Sequence, residues 1–232
     1  MNVDLARRAT AEAVGTALLV AAVVGSGIYA QRLSPDDIGI ELLENSIATG
    51  AALVALILAL GPVSGAHFNP VVTLADRVLG GIETLEALVY MAAQVVGASV
   101  GAMVANLMFE LPAVTVSTHT RSSGALWFSE VIATFGLLLV ILGVVRAGRA
   151  QVAAFAVGGY IAAAYWFTSS TSFANPAVTI GRSLTNTFAG IAPSSVPPFV
   201  VAQVAGALLA VALARFLRPD IPAKDLVMPH DG

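Results

Sequence analysis

The sequence predicts an all-α membrane protein: six transmembrane helices, two re-entrant half-helices, and two halves related as an inverted three-span repeat. Three observations carry that prediction. Of the 232 residues, 57% are hydrophobic and only 11% charged, with mean hydropathy +0.86, where a soluble domain carries about 25% charged residues. Several apolar runs are long enough to cross about 30 Å of hydrocarbon. Asn-Pro occurs twice, in Asn69-Pro70-Val71 and Asn175-Pro176-Ala177, each time opening a run too short to cross.

The spans are expected at roughly 9–30, 43–62, 83–106, 127–146, 150–167 and 197–217, with edges uncertain by about 2–4 residues. Between them lie chemical breaks. Gln31 to Glu44 carries Arg32, Pro35, Asp36, Asp37 and Glu41; Glu110 to Gly124 carries Pro112, His119 and Arg121. Arg146 to Arg149 is a tight polar turn, and Ala192 to Pro198 is rich in proline. The first run follows Arg7-Arg8 and has the outline of a signal peptide. It is long and belongs to the internal repeat, so it is a span. Segments 69–79 and 175–185 remain. At about 1.5 Å per residue each covers half a bilayer. Irregular backbone at that depth survives only where protein buries it or water lines it.

The repeat is explicit. Glu12-Ala13-Val14-Gly15-Thr16 matches Glu130-Val131-Ile132-Ala133-Thr134. The two Asn-Pro motifs match, and Ala93-Gln94-Val95-Val96-Gly97 matches Ala202-Gln203-Val204-Ala205-Gly206. The pairs come in one order, giving a single channel domain over 1–232 with repeats at about 8–110 and 125–217 and a polar tail at 218–232. Three spans per half invert one half against the other. With both termini cytoplasmic, the inner side receives Arg7, Arg8, Arg77, Arg146, Arg149, Arg215, Arg218 and Lys224. The outer side receives Arg32, Arg121 and Arg182. That bias favours both ends inside, in a cell membrane.

Asn is a preferred N-cap, and Pro at the first helical position loses only an unpaired N–H. Each motif therefore starts a helix, and inversion points the two starts at each other. Their N-termini carry partial positive charge and free N–H donors, and the Asn69 and Asn175 amides add more. A neutral oxygen accepts from both; a cation meets a positive potential. The expected function is a passive channel for small neutral solutes. An inverted-repeat secondary transporter is the rival, though Glu12 and Glu130 are the only carboxylates expected inside the membrane, away from its surfaces. An enzyme is not expected, because no Ser/His pair, Asp dyad or His-Glu metal motif falls at membrane depth. Cysteine is absent, which excludes disulfides and thiolate metal sites. No cofactor and no nucleic-acid partner are expected; the partners are solutes and the lipid bilayer.

Ser64-Gly65-Ala66-His67-Phe68-Asn69-Pro70, the second Asn-Pro-Ala and the paired Glu-x-x-x-Thr closely resemble the major intrinsic proteins, the aquaporins and aquaglyceroporins, over residues 8–217. Val71 stands where that family usually has Ala. The resemblance implies the aquaporin fold, a homotetramer with one pore per protomer, loop-bracing roles for Glu12 and Glu130, and pore-lining carbonyls at Gly65, Ala66 and His67. Gln94 and Gln203 either line the pore or bond to neighbouring helices. Gly97, Gly101 and Gly206 read as close helix packing.

The family's outer selectivity filter, counted from the motifs, falls on Thr49, Ala163, Ser172 and Val178. Relatives place Arg at the last of these and bulky rings nearby, so this filter is expected to be wide and uncharged. That pattern resembles a divergent bacterial aquaglyceroporin branch associated with arsenic resistance. Water, glycerol-like polyols and metalloid hydroxides such as arsenous acid are the implied solutes, with a strict water channel as the alternative. Arg182, four residues beyond Val178, shares its helix face. It is expected either to reach back into the outer vestibule or to lie solvated, binding lipid headgroups or closing carbonyls at the half-helix end.

Overall fold

The computed structural model describes residues 3–217; Arg218, Lys224 and the rest of the 218–232 tail lie outside the described residues. The chain folds into α1 (Val3–Leu33), α2 (Ile38–Ser64), α3 (Pro70–Leu79), α4 (Thr84–Met108), α5 (Gly124–Arg146), α6 (Ala153–Phe167), α7 (Pro176–Gly181) and α8 (Val196–Leu217). Short 3-10 turns precede α6, follow α7 and precede α8. Among the described residues six helices are long and apolar enough to cross a membrane, the fifth and sixth counted with their 3-10 turns. α3 and α7, of ten and six residues, are the half-helices.

The spans run longer than their apolar runs because their ends are polar yet helical. α1 begins a turn before its apolar stretch: Arg8 bridges Asp4 at 3.0 Å and Glu86 of α4 at 2.5 Å. The Asp37 carboxylate caps α2 by accepting from the Ile40 N–H at 3.0 Å, and the Ser123 hydroxyl caps α5 by accepting from the Leu126 N–H at 3.2 Å. The second half-helix stops short of residue 185, passing into a 3-10 turn at Arg182–Leu184. Its last carbonyls are drawn off sideways. Those of Ser183 and Leu184 accept from Ser117 and Thr115 of the α4–α5 loop, each at 3.0 Å. A carbonyl so engaged no longer favours a further helical turn.

Packing keeps the two halves alike. α1 lies against α2 and α4, α5 against α6 and α8, and α2 meets α6 where the halves join. Close approach depends on missing side chains. A Cβ at Gly97 would lie 2.2 Å from the Ala13 carbonyl oxygen, and one at Gly206 would lie 2.4 Å from that of Val131. Between bilayer-spanning helices, where lipid is as apolar as leucine, small residues are what allow such contact.

Candidate functional site

Each half-helix begins as its sequence requires. The Asn69 side chain accepts from the Val71 N–H at 3.1 Å. That of Asn175 accepts from Ala177 and Val178 at 3.0 and 3.2 Å. The other end of each amide crosses the pseudo-two-fold axis. Asn69 donates to the Ala174 carbonyl and Asn175 to the Phe68 carbonyl, both at 2.8 Å. The two helix tips are thus tied reciprocally, nose to nose. Each amide nitrogen carries two hydrogens, so each keeps one beyond its tie.

The loops leading to these tips hold unusual backbone. Ala66 and Phe68 have φ 49° and 50°, and Ser172 and Ala174 have φ 50° and 47°. A left-handed conformation costs a non-glycine residue about 1 kcal/mol or more, so each loop needs a brace. In the first half the buried Glu12 carboxylate accepts from the N–H groups of His67 (2.9 Å) and Phe68 (2.7 Å), the Ser64 hydroxyl (2.7 Å) and the Gln94 amide (2.7 Å). In the second, Glu130 accepts from the N–H groups of Phe173 (2.9 Å) and Ala174 (2.8 Å) and the Gln203 amide (2.6 Å). Gln94 and Gln203 also reach Thr73 and Thr179 at 3.0 and 2.9 Å. Those hydroxyls return to the carbonyls of Asn69 and Asn175 at 3.2 and 2.7 Å. The glutamines are fully buried in this brace and are not among the residues facing the cavity. Thr73 and Thr179 are brace members that sequence reasoning left out, although both sit four residues after a motif Asn.

Beside the tips lies a cavity lined by both halves. One wall is apolar and repeats across the halves: Leu19 and Val23 on α1 answer Leu137 and Ile141 on α5. The other is the two loops, with Gly65, Ala66 and His67 on one side and Ser172, Phe173 and Ala174 on the other. Asn69 and Asn175 face the same space. Pro70, Val71, Pro176 and Ala177 do not; they set the helix starts from behind.

The filter positions split. Thr49, Ser172 and Val178 line the cavity, but Ala163 does not: it is exposed on the outer face of α6. Val157, Ile161 and Tyr165 form the inward stripe of that helix, spaced i, i+4, i+8. A residue two positions from either of the last two points about 200° away. Tyr165 therefore stands where Ala163 was expected, and its hydroxyl meets that of Thr49 at 3.2 Å. The fourth position is Val178, uncharged, as in the sequence.

Arg182 is 2% exposed and lines the cavity. It is not solvated among headgroups. Its guanidinium lies over the Phe173 ring, 3.5 Å from the centroid, and its Nε donates to the Ala189 carbonyl. Arg121 of the α4–α5 loop lies 5.3 Å from the same centroid and donates to the carbonyls of Gly190 and Phe188 at 3.0 and 3.3 Å. Burial lowers the pKa of Arg121 from its ordinary value, against the pull of Glu130; a guanidinium remains charged at neutral pH regardless. Among the described residues no group of three His, Cys, Asp or Glu could hold a metal ion.

Two half-helices joined tip to tip beside a cavity inside an inverted six-span bundle define a membrane channel of the re-entrant type. The comparisons agree. The model of the major intrinsic protein family matches residues 1–172. The chain is 52% identical to aquaglyceroporin AqpS of Rhizobium meliloti, over 97% of this chain and 94% of that one. It is 32% identical to the probable aquaporin AqpM of Archaeoglobus fulgidus, over 94% and 99%. The solved structure of the aquaglyceroporin from Plasmodium falciparum superposes with a TM-score of 0.71 at 23% identity, covering 93% of this chain and 98% of that chain; at that identity the likeness bears on the fold. The chain belongs to the major intrinsic protein family, and it is a channel rather than an enzyme.

Proposed function

We propose that the protein is a passive channel for water and small neutral solutes of the glycerol type, with one path through each protomer. The observation that carries this is the reciprocal tie between Asn69 and Asn175, which fixes two donor-bearing helix tips at one point beside the cavity. A hydroxyl passing there accepts from both amides, while an apolar backbone slides along Leu19, Val23, Leu137 and Ile141. A molecule with one oxygen-rich edge and one hydrocarbon edge fits both walls.

Glu12 and Glu130 hold the loops from behind through N–H groups, which frees the carbonyls of Gly65, Ala66 and His67 to accept from the solute. Thr49, Tyr165, Ser172 and Val178 form the outer constriction: three oxygens and an isopropyl group, without the usual arginine. Undissociated metalloid hydroxides such as arsenous acid share the size and hydrogen-bonding edge of a polyol and belong to the same solute class. AqpS, half identical to this chain, is named an aquaglyceroporin, which supports the polyol reading over strict water selectivity. The cation bias supports cytoplasmic termini in a cell membrane, and the assembly is a homotetramer.

Stopped-flow light scattering on proteoliposomes tests this with water, glycerol, urea and arsenous acid. Wild type is expected to move all four down their gradients without saturation or a coupling ion. Val178→Arg is expected to keep water and slow the larger solutes. Flux that saturates and depends on protons or sodium would sink the channel reading in favour of a transporter.

A further inference from the structure

We propose that Arg182 determines the charge specificity of the outer mouth, as a fixed cation standing one helical turn beyond the filter position that Val178 leaves uncharged. The inference rests on the channel reading. Val178 and Arg182 both line the cavity, as i and i+4 on one helical face must.

The guanidinium is held in place from two sides. Phe173 lies beneath it at 3.5 Å, and the Ala189 carbonyl takes its Nε–H. Phe173 is itself held by its surroundings. Its N–H is bound to Glu130, residues on both sides of it have positive φ, and its ring meets that of Phe199 edge-on at 5.2 Å. A chain of contacts thus runs from the loop brace to the cation: Glu130 fixes Phe173, and Phe173 fixes Arg182. Arg121, over the same ring at 5.3 Å, adds a second positive charge behind the first.

Among the described residues neither arginine makes a salt bridge. The Glu130 carboxylate attracts both, but its hydrogen bonds go to loop donors and Gln203, so the two cations outnumber the one anion. Away from bulk water a unit charge acts over several ångströms with little screening. A cation entering the outer mouth meets Arg182 before it meets the half-helix tips. A neutral oxygen-bearing solute meets the remaining guanidinium donors as hydrogen-bond partners. The constriction of Thr49, Tyr165, Ser172 and Val178 then carries no charge of its own, and charge exclusion is moved outward from it.

Wild type, Arg182→Met, Arg182→Lys and Phe173→Leu are compared in proteoliposomes. Glycerol flux is read by light scattering, and leak of methylammonium, driven by a set membrane potential, by a potential-sensitive dye. Wild type should pass glycerol and exclude methylammonium. Arg182→Met should raise the leak by about tenfold or more. Arg182→Lys keeps the charge without the planar stack and should restore most of the exclusion. Phe173→Leu frees the guanidinium and should give a leak between wild type and Arg182→Met. Should Arg182→Met fail to give a monodisperse protein, the lysine and leucine variants decide, since a lysine variant that leaks as freely as one without charge overturns the proposal. A wild type that moves no glycerol over empty liposomes overturns the channel reading and this inference with it. Glycerol-conducting Arg182→Met with no added leak overturns this inference alone.

Discussion

The two halves use one scaffold and end in opposite chemistry. Two residues before its Asn, the first loop has His67 and the second Phe173; seven residues after it, the first half-helix has Asp76 and the second segment Arg182. Each pair touches. His67 Nε2 lies 3.5 Å from the Asp76 carboxylate, and the Arg182 guanidinium lies 3.5 Å from the Phe173 ring. Between these pairs the brace is repeated almost atom for atom, Glu12 with Gln94 and Thr73 against Glu130 with Gln203 and Thr179. Backbone that must hold one strained shape tolerates one solution, and so the repeat kept it twice. The mouths face different compartments, and there the repeat was free to diverge.

The sharpest way to break that comparison is to remove one brace at a time. Glu12→Ala strands the N–H groups of His67 and Phe68 at membrane depth, and Glu130→Ala strands those of Phe173 and Ala174. Each buried donor left unmatched costs about 1–3 kcal/mol, so either variant should lose about 3 kcal/mol or more and most of its glycerol flux. Thermal melting in detergent and proteoliposome flux measure both. A large loss in one half and none in the other would show that the two braces are not equivalent.

Packing gives the next effect. Gly97→Leu drives a side chain into the Ala13 carbonyl and Gly206→Leu into that of Val131. Both contacts are with backbone, which has no rotamer to yield, so overpacking of about 1–3 kcal/mol is expected from each. Similar melting shifts in the two variants would extend the equivalence from the loops to the helix pairs. At the mouths the expectation reverses. Asp76→Asn alters the His67 pair alone, so methylammonium exclusion should stay at the wild-type level even where the glycerol rate changes. A leak from Asp76→Asn as large as that from Arg182→Met would erase the distinction between the mouths.

The parts legible in the sequence were those that the repeat writes twice. Asn69 and Asn175, the glutamates and the packing glycines are each fixed by a motif and its echo, and local chemistry suffices to read them. Arg182 could be placed on a helix face from its spacing to Val178, but only tertiary packing on Phe173 decides that it turns inward rather than into the headgroup region. Phe173 itself was in plain view. It occupies the place of His67, yet an aromatic residue in an apolar sequence signals nothing until the cation above it is seen. Gln94 and Gln203 stood equally between pore and brace until the donors that fill Glu12 and Glu130 were known.

The misplacement of the filter residue on α6 has a simple origin, and the mildest prediction follows from it. Counting back from Asn175 crosses Thr168–Ala174, where positive φ at Thr171, Ser172 and Ala174 makes the path irregular. An error of two residues there becomes about 200° on the helix, turning Tyr165 into Ala163. Ala163→Leu should therefore leave water and glycerol flux unchanged, because the added methyls meet only lipid or a neighbouring protomer. Tyr165→Phe removes one hydroxyl and its 3.2 Å contact with Thr49, an interaction worth about 1 kcal/mol net. Its expected signature is a modest shift in the urea-to-glycerol flux ratio with little loss of stability. If Ala163→Leu moves that ratio and Tyr165→Phe does not, the inward face of α6 has been assigned to the wrong residues.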